Sequence, residues 1–135
     1  MLNFLSRFRS ETYALLRIVA GFLFLWHGMQ KLFGFPAEPP PDIPRFVTFV
    51  GGPIELVGGA LVMLGLFTRP AAFLCSGFMA SAYWMAHGTA HPLPLLNHGE
   101  LAALYCFVFL FLAAQGHGAW SLDALRASAD DPDSR

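Results

Sequence analysis

The stretch "LFLWHGMQKLFGF", Leu23 to Phe35, is apolar enough to dissolve in lipid yet carries His27, Gln30 and Lys31. His27 and Lys31 are one helical turn apart on one face, so an imidazole and an ammonium can act together. Further on, Glu55 stands inside "PIELVGGALVMLGL", and His87, His91, His98 and Glu100 follow near the ends of two more apolar runs. An ionised carboxylate at the centre of a membrane helix costs about 2.5–3.5 kcal/mol on insertion scales. Glu55 must therefore be protonated, paired or facing water. Lys31 is the nearest plausible cation, and His27 can offer a hydrogen bond. Together these groups could bind a polar ligand or relay a proton.

Composition says what holds them. Of 135 residues, 56% are hydrophobic and only 13% charged, and the mean hydropathy is +0.53. That is too little charge to cover a soluble surface. The apolar residues arrive in blocks of about 20, the length that crosses a hydrocarbon core of about 30 Å. The formal net charge of −1, with no basic run, gives no reason to expect nucleic acid. The lipid bilayer is the expected partner, with other protein subunits beside it.

Helices are the economical form for such blocks, because an open strand edge cannot lie in lipid. Four are expected, at about residues 13–34, 44–66, 70–88 and 98–115. The links are short. "FPAEPPPDI" cannot continue a helix, "FTR" leaves room for a tight hairpin, and "TAHPLPLLN" joins the last two. The fold class expected is therefore all-α, an integral membrane four-helix bundle of up-down topology. Residues 1–12 would be an N-terminal segment and 13–115 the transmembrane domain. Residues 116–135 would form a tail, with a short surface helix capped by Ser121, Asp123 in its first turn, and a polar disordered end. Arg7 and Arg9 could suggest a signal peptide, but the apolar stretch is too long and no small-residue cleavage site closes it.

Charge placement sets the orientation. With four crossings, Arg7, Arg9, Arg17, Arg69, Arg126 and Arg135 share one side, against Lys31 and Arg45 on the other. The excess favours cytoplasmic termini and a multi-pass protein of a bacterial inner membrane. His27, Lys31, Glu55, His87, His98 and Glu100 then gather in the outer half, while the inner half is nearly all apolar. Pro53 should kink the second helix beside Glu55. Gly58 and Gly59 read as close contacts between helices. Arg69 reads as a cap on the last carbonyls of the second helix and a partner for lipid phosphates. Phe24, Trp26, Phe33 and Trp84 are candidates for aromatic walls.

Other chemistries are weaker. Cys75 and Cys106 lie in apolar blocks without a CxxC and read as packing residues. His87 and His91 are four apart, and Met29, Met79 and Met85 would suit copper. The helix should end between the two histidines, however, so no metal ligands are assigned. Haem would need opposed histidines at matched depth, which are missing. The polar residues can also be read more plainly, as glue that sets helix register.

The pieces "LLRIVAGFLFLWHGMQKLFG", "IELVGGALVMLGLFTRPAA", "GELAALY" and "GHGAWSLDAL" together resemble the DoxX family of small four-helix membrane proteins, over about Leu15 to Leu125. His117 departs from that pattern, where a proline is expected. The matching positions are His27, Gln30, Lys31, Glu55, Arg69, Glu100 and Asp123. The resemblance implies association with membrane redox assemblies, either quinone-linked sulfur oxidation or thiol and oxidative stress. Family likeness supports architecture more than chemistry.

The function expected is a membrane subunit of a redox assembly, quinone- or thiol-linked, with a polar pocket in its outer half. His27, Gln30, Lys31, Glu55, His87 and Glu100 are its candidate ligand-binding or proton-relay residues; Pro53, Gly58, Gly59, Arg69 and Asp123 are structural. The ligand would be a quinone, with copper or haem less favoured. A non-enzymatic scaffold or assembly factor, and a small-solute or copper-handling protein, are the competing readings. Whether the protein is itself catalytic stays open.

Overall fold

A computed structural model describes residues 2–130, and the described chain is entirely helical apart from its links. The expected disordered end "ADDPDSR" falls mostly outside the described residues. A 3-10 turn, Leu2–Phe8, runs straight into α1, Arg9–Phe33. The helix thus begins before residue 13, because nothing in "RSETY" breaks it. It ends on Gly34, whose φ of 64° and N–H to the Gln30 carbonyl make a left-handed C-terminal cap.

The second helix, α2, spans Val47–Leu64 and stops at Gly65 with φ 67°. Pro53 supplies no N–H, and wide i→i+5 turns flank it at Val47–Gly51 and Ile54–Gly58. The third, α3, covers Thr68–Ala82 and widens into a π-helical end at Tyr83–Gly88. Pro70 is tolerated because its missing N–H lies in the unpaired first turn. A single turn, α4 (Pro94–Asn97), leads to α5, Glu100–Gln115. Finally α6, Leu122–Ala129, starts at Ser121, whose hydroxyl accepts from the Ala124 N–H at 3.2 Å. Relative to the expected limits, α1 starts four residues early, at Arg9, and α2 three residues late, at Val47.

By length and composition α1, with the turn before it, and α2 qualify as membrane spans. Large apolar side chains also cover the outside. Phe49, Phe73, Phe107 and Leu104 are each more than 60% exposed, which suits lipid far better than water. Buried inside are Phe24, Val62, Cys75, Met79, Tyr105, Phe109 and Leu112.

Glycine fixes how α1 meets α2. A Cβ on Gly21 would lie 2.6 Å from the Gly59 carbonyl oxygen, and one on Gly28 would lie 2.7 Å from that of Gly52. Gly21 and Gly28 are one heptad apart, as are Gly52 and Gly59, so the two backbones touch along antiparallel axes. Gly58 faces the other way, onto the Cys75 sulfur. In lipid, where apolar burial gives little driving force, such close packing carries the association. Gly28→Val should therefore force the pair apart and cost about 1–3 kcal/mol or more. Equilibrium unfolding in mixed detergent measures this; an unchanged midpoint would show that the backbones have room to spare.

The other tight pair is α3 with α5. The Ser76 hydroxyl donates to the Cys106 carbonyl at 2.8 Å. The guanidinium of Arg69 donates to the carbonyls of Ala113, at 3.2 Å, and Ala114, at 2.9 Å. This corrects the expectation that Arg69 caps the second helix: it closes α5, which ends beside the start of α3. The second helix is closed by Arg17 instead. Arg17 is fully buried rather than a headgroup charge, and donates to the carbonyls of Val62, Met63, Ala119 and Trp120 at 2.8–3.0 Å.

Asp123 also serves a neighbour. Its carboxylate accepts from the N–H groups of Phe67 (3.0 Å) and Thr68 (2.9 Å) and from the Thr68 hydroxyl (3.1 Å). It therefore caps α3 as well as standing in the first turn of α6. Burial pushes this carboxyl up, but the bonds from Thr68 and Phe67, with His117 nearby, outweigh burial and hold it below its ordinary value. Its stabilising contribution is complete above the unfolded value of about 3.9 and is lost as pH falls through the lower folded value. Hydrogen exchange across α6 should stay slow on acidification until below about pH 4. Asp123→Asn should abolish that step; an unchanged acid transition in this variant would assign it elsewhere.

Candidate functional site

The α1–α2 contact carries Lys31 to Glu55. Side chains on a helix lean toward its N-terminus. Lys31 leans back along α1, and Glu55, on the antiparallel α2, leans the opposite way, toward it. The Lys31 Nζ lies 2.5 Å from Glu55 Oε1, with the two side chains 16% and 3% exposed. Glu55 Oε2 is buried and has no hydrogen-bond partner in the protein. Buried acceptors are nearly always satisfied, and among the described residues Glu11 Oε2 and Arg17 Nε share this condition with Glu55 Oε2.

Beside it opens a cavity of about 670 Å³, within the usual size range for small-molecule sites. Phe24, His27 and Lys31 from α1 line it, with Phe46, Val47 and Glu55 from the start and middle of α2. Phe78, Met79 and Met85 come from α3 and its extension, and Leu101 and Tyr105 from α5, with His87 and His98 at the far end. Tyr105 stacks on Phe109, packs against Phe24 and meets the His27 ring edge-on at 6.3 Å between centroids. Among the described residues, neither the Tyr105 hydroxyl nor the His27 ring has a hydrogen bond to protein. The Tyr105 and His27 side chains thus line a largely apolar chamber without a protein hydrogen-bond partner.

The sequence-derived site residues divide accordingly. His27, Lys31, Glu55 and His87 line the cavity. His87 is anchored there by a 2.9 Å bond between Nδ1 and the Asn97 carbonyl. Gln30 does not line it: its amide approaches the Glu38 carbonyl in the following loop at 3.4 Å. Glu100 is exposed in the first turn of α5, where a carboxylate suits the helix dipole, and also lies outside the lining. His91 is occupied locally, accepting from the Leu93 N–H. Of the expected aromatic walls only Phe24 lines the cavity. Trp84 and Phe33 are 63% and 65% exposed, and Trp26 packs between Phe22 and Phe35. The other aromatic walls are Phe46, Phe78 and Tyr105.

Tyr105 and Arg17 are the residues that reading by sequence missed. Tyr105 had a signal, a polar tip on a helix that is otherwise apolar all round. Arg17 had a stronger one, since a charge inside "LLRIVAG" needs a partner in lipid.

Comparisons with known proteins agree with a membrane protein. An uncharacterized protein of Haemophilus influenzae is 40% identical over 90% of this chain and 96% of its own. A Bacillus subtilis protein named "Putative oxidoreductase CatD" is 30% identical over 81% of this chain and 82% of its own. The inner membrane protein YphA of Escherichia coli is 29% identical over 79% and 84%. No solved structure matches significantly. The DoxX family profile matches residues 12–88, more than half of the chain, and the protein belongs to the DoxX family.

Proposed function

We propose that this protein is a multi-pass inner-membrane subunit of a quinone- or thiol-linked redox assembly, and that its cavity holds a lipophilic aromatic molecule. Four helices cross the bilayer as an up-down bundle with both termini in the cytoplasm, so the cavity lies in the outer half. With Arg17 committed internally, Arg7, Arg9, Arg69 and Arg126 still outnumber Lys31 and Arg45 on the opposite side. The observation that carries the reading is a chamber of ligand size whose largely apolar walls bring His27, Lys31, Glu55 and Tyr105 together.

The rim supports a ligand drawn from lipid. Phe46, Met85 and Leu101 are each at least half exposed at the mouth. A quinone-type ring fits the donor set: Lys31, His27 and the Tyr105 hydroxyl can orient ring oxygens, while Phe24 and Phe78 exclude water. The oxidoreductase name carried by the Bacillus subtilis relative points the same way.

Native mass spectrometry of the protein, extracted gently from its host membrane, tests this. One bound aromatic small molecule per chain is the expected result. A stoichiometric protein partner with no small molecule would make the polar cluster a scaffold feature instead.

A further inference from the structure

We propose that the groove on the outside of α3 and α5 holds one anionic phospholipid, its phosphate side-on against Arg69 and an acyl chain running past Phe73. This goes beyond a general affinity of Arg69 for headgroups by building a defined site. It does not depend on what the chamber beside Glu55 contains.

The groove, about 440 Å³, is lined by Arg69, Pro70 and Phe73 of α3 and by Leu110, Ala113 and Ala114 of α5. Arg69 meets Ala114 and Ser76 meets Cys106, so the two helices run antiparallel. Arg69 and Phe73, four apart, share a face of α3, as Leu110 and Ala114 do on α5. The charged end of the groove therefore lies where α5 stops, and Phe73 and Leu110 lie a turn deeper. Ala113, Ala114 and Pro70 keep the floor low, while Phe73, 67% exposed, and Leu110, 43% exposed, stand as walls. One turn further along the Phe73 face, a Cβ on Gly77 would meet nothing within 4 Å. The open strip thus continues toward the middle of the bilayer.

At the head of the groove Arg69 is exposed, and among the described residues no carboxylate pairs with it. Its Nη1 donates to the carbonyls of Ala113 and Ala114, and Nη2 reaches that of Gln115 at 3.4 Å. No described residue accepts from Nε. The edge formed by Nε and Nη2 is the fork that takes two phosphate oxygens side-on. Gly116 keeps that edge open, because a Cβ there would stand 3.1 Å from both nitrogens. The bonds to α5 also hold the guanidinium in place, so less order is lost when an anion docks. Free phosphate would use the fork alone and gain nothing from the apolar strip. No carboxylate lines the groove to receive the ammonium of a zwitterionic headgroup, which favours a lipid with net negative charge.

Native mass spectrometry of the full chain in detergent tests this, with phosphatidylglycerol or phosphatidylcholine of identical acyl chains as the titrant. Phosphatidylglycerol should bind about fivefold more tightly. Ala114→Leu fills the groove at an exposed position and leaves Arg69 its bonds; it should weaken phosphatidylglycerol by about fivefold as well. Arg69→Gln should make the two lipids equal, and excess inorganic phosphate should displace neither. Equal binding of the two by the wild type, or unchanged phosphatidylglycerol binding in Ala114→Leu, would overturn the proposal. Displacement by inorganic phosphate would overturn it too, by making Arg69 an ion site without a lipid. The wild-type comparison and Ala114→Leu decide the matter even if Arg69→Gln fails to fold.

Discussion

Lys31→Met alone should cost about 3–5 kcal/mol of stability, because it leaves the Glu55 carboxylate buried without a counter-charge. Glu55→Leu alone should cost less. The Lys31 side chain is partly exposed near the end of α1 and can turn its ammonium toward the surface along its own methylenes. The double variant Lys31→Met/Glu55→Leu should return close to wild-type stability, since paired apolar groups of similar size often replace a buried ion pair without loss. A double-mutant cycle by equilibrium unfolding in mixed detergent measures the coupling. Additive single effects would mean that the contact contributes nothing to the fold. Near-neutral stability of the double variant, combined with loss of the bound molecule, would separate a binding role from a merely structural one.

Arg17→Met should have a comparable effect through another mechanism. Four carbonyls, those of Val62, Met63, Ala119 and Trp120, receive the Arg17 guanidinium, and all lie where α1, α2 and the segment before α6 converge. Hydrogen bonds to a charged group are worth about 1.5–3 kcal/mol each in isolation. Because they share one side chain they do not add fully, and a total near 3–5 kcal/mol is expected. The loss should be local as well as global: with the segment around Gly118 released, α6 should become cleavable by trypsin at Arg126. Arg17→Lys should recover only part, since an ammonium cannot span four acceptors arranged around a planar fork. A shift under 0.5 kcal/mol in Arg17→Met would show that water replaces the guanidinium at this end.

The all-helical character was legible because its causes are local. Apolar blocks of spanning length, proline at Pro36 and Pro39 to Pro41, and glycine at Gly34, Gly65 and Gly116 mark where helices begin and stop. The meeting of Lys31 and Glu55 follows from depth alone, once antiparallel neighbours are assumed. Residues whose roles depend on azimuth were not legible in the same way. The α5 helix is apolar on every side, so no periodicity tells that Tyr105 faces inward and Phe107 outward. Gln30 and Glu100 sit at suitable depth but on the wrong side of their helices to line the chamber. Arg69 was assigned to the helix nearest in sequence, whereas the carbonyls it reaches belong to the helix nearest in space. Arg17 was counted among the boundary charges because it is arginine near an N-terminus, although its position amid Leu15, Leu16 and Ile18 required internal partners.

The central claim is that the chamber holds a lipophilic aromatic molecule. A crystal structure of the protein purified from its own host membrane tests this most directly. The expected result is density for a ring-shaped molecule between Phe24, Phe78 and Tyr105, with an oxygen within hydrogen-bond distance of the His27, Lys31 or Tyr105 side chain. A chamber filled by a lipid tail or a neighbouring side chain would contradict it.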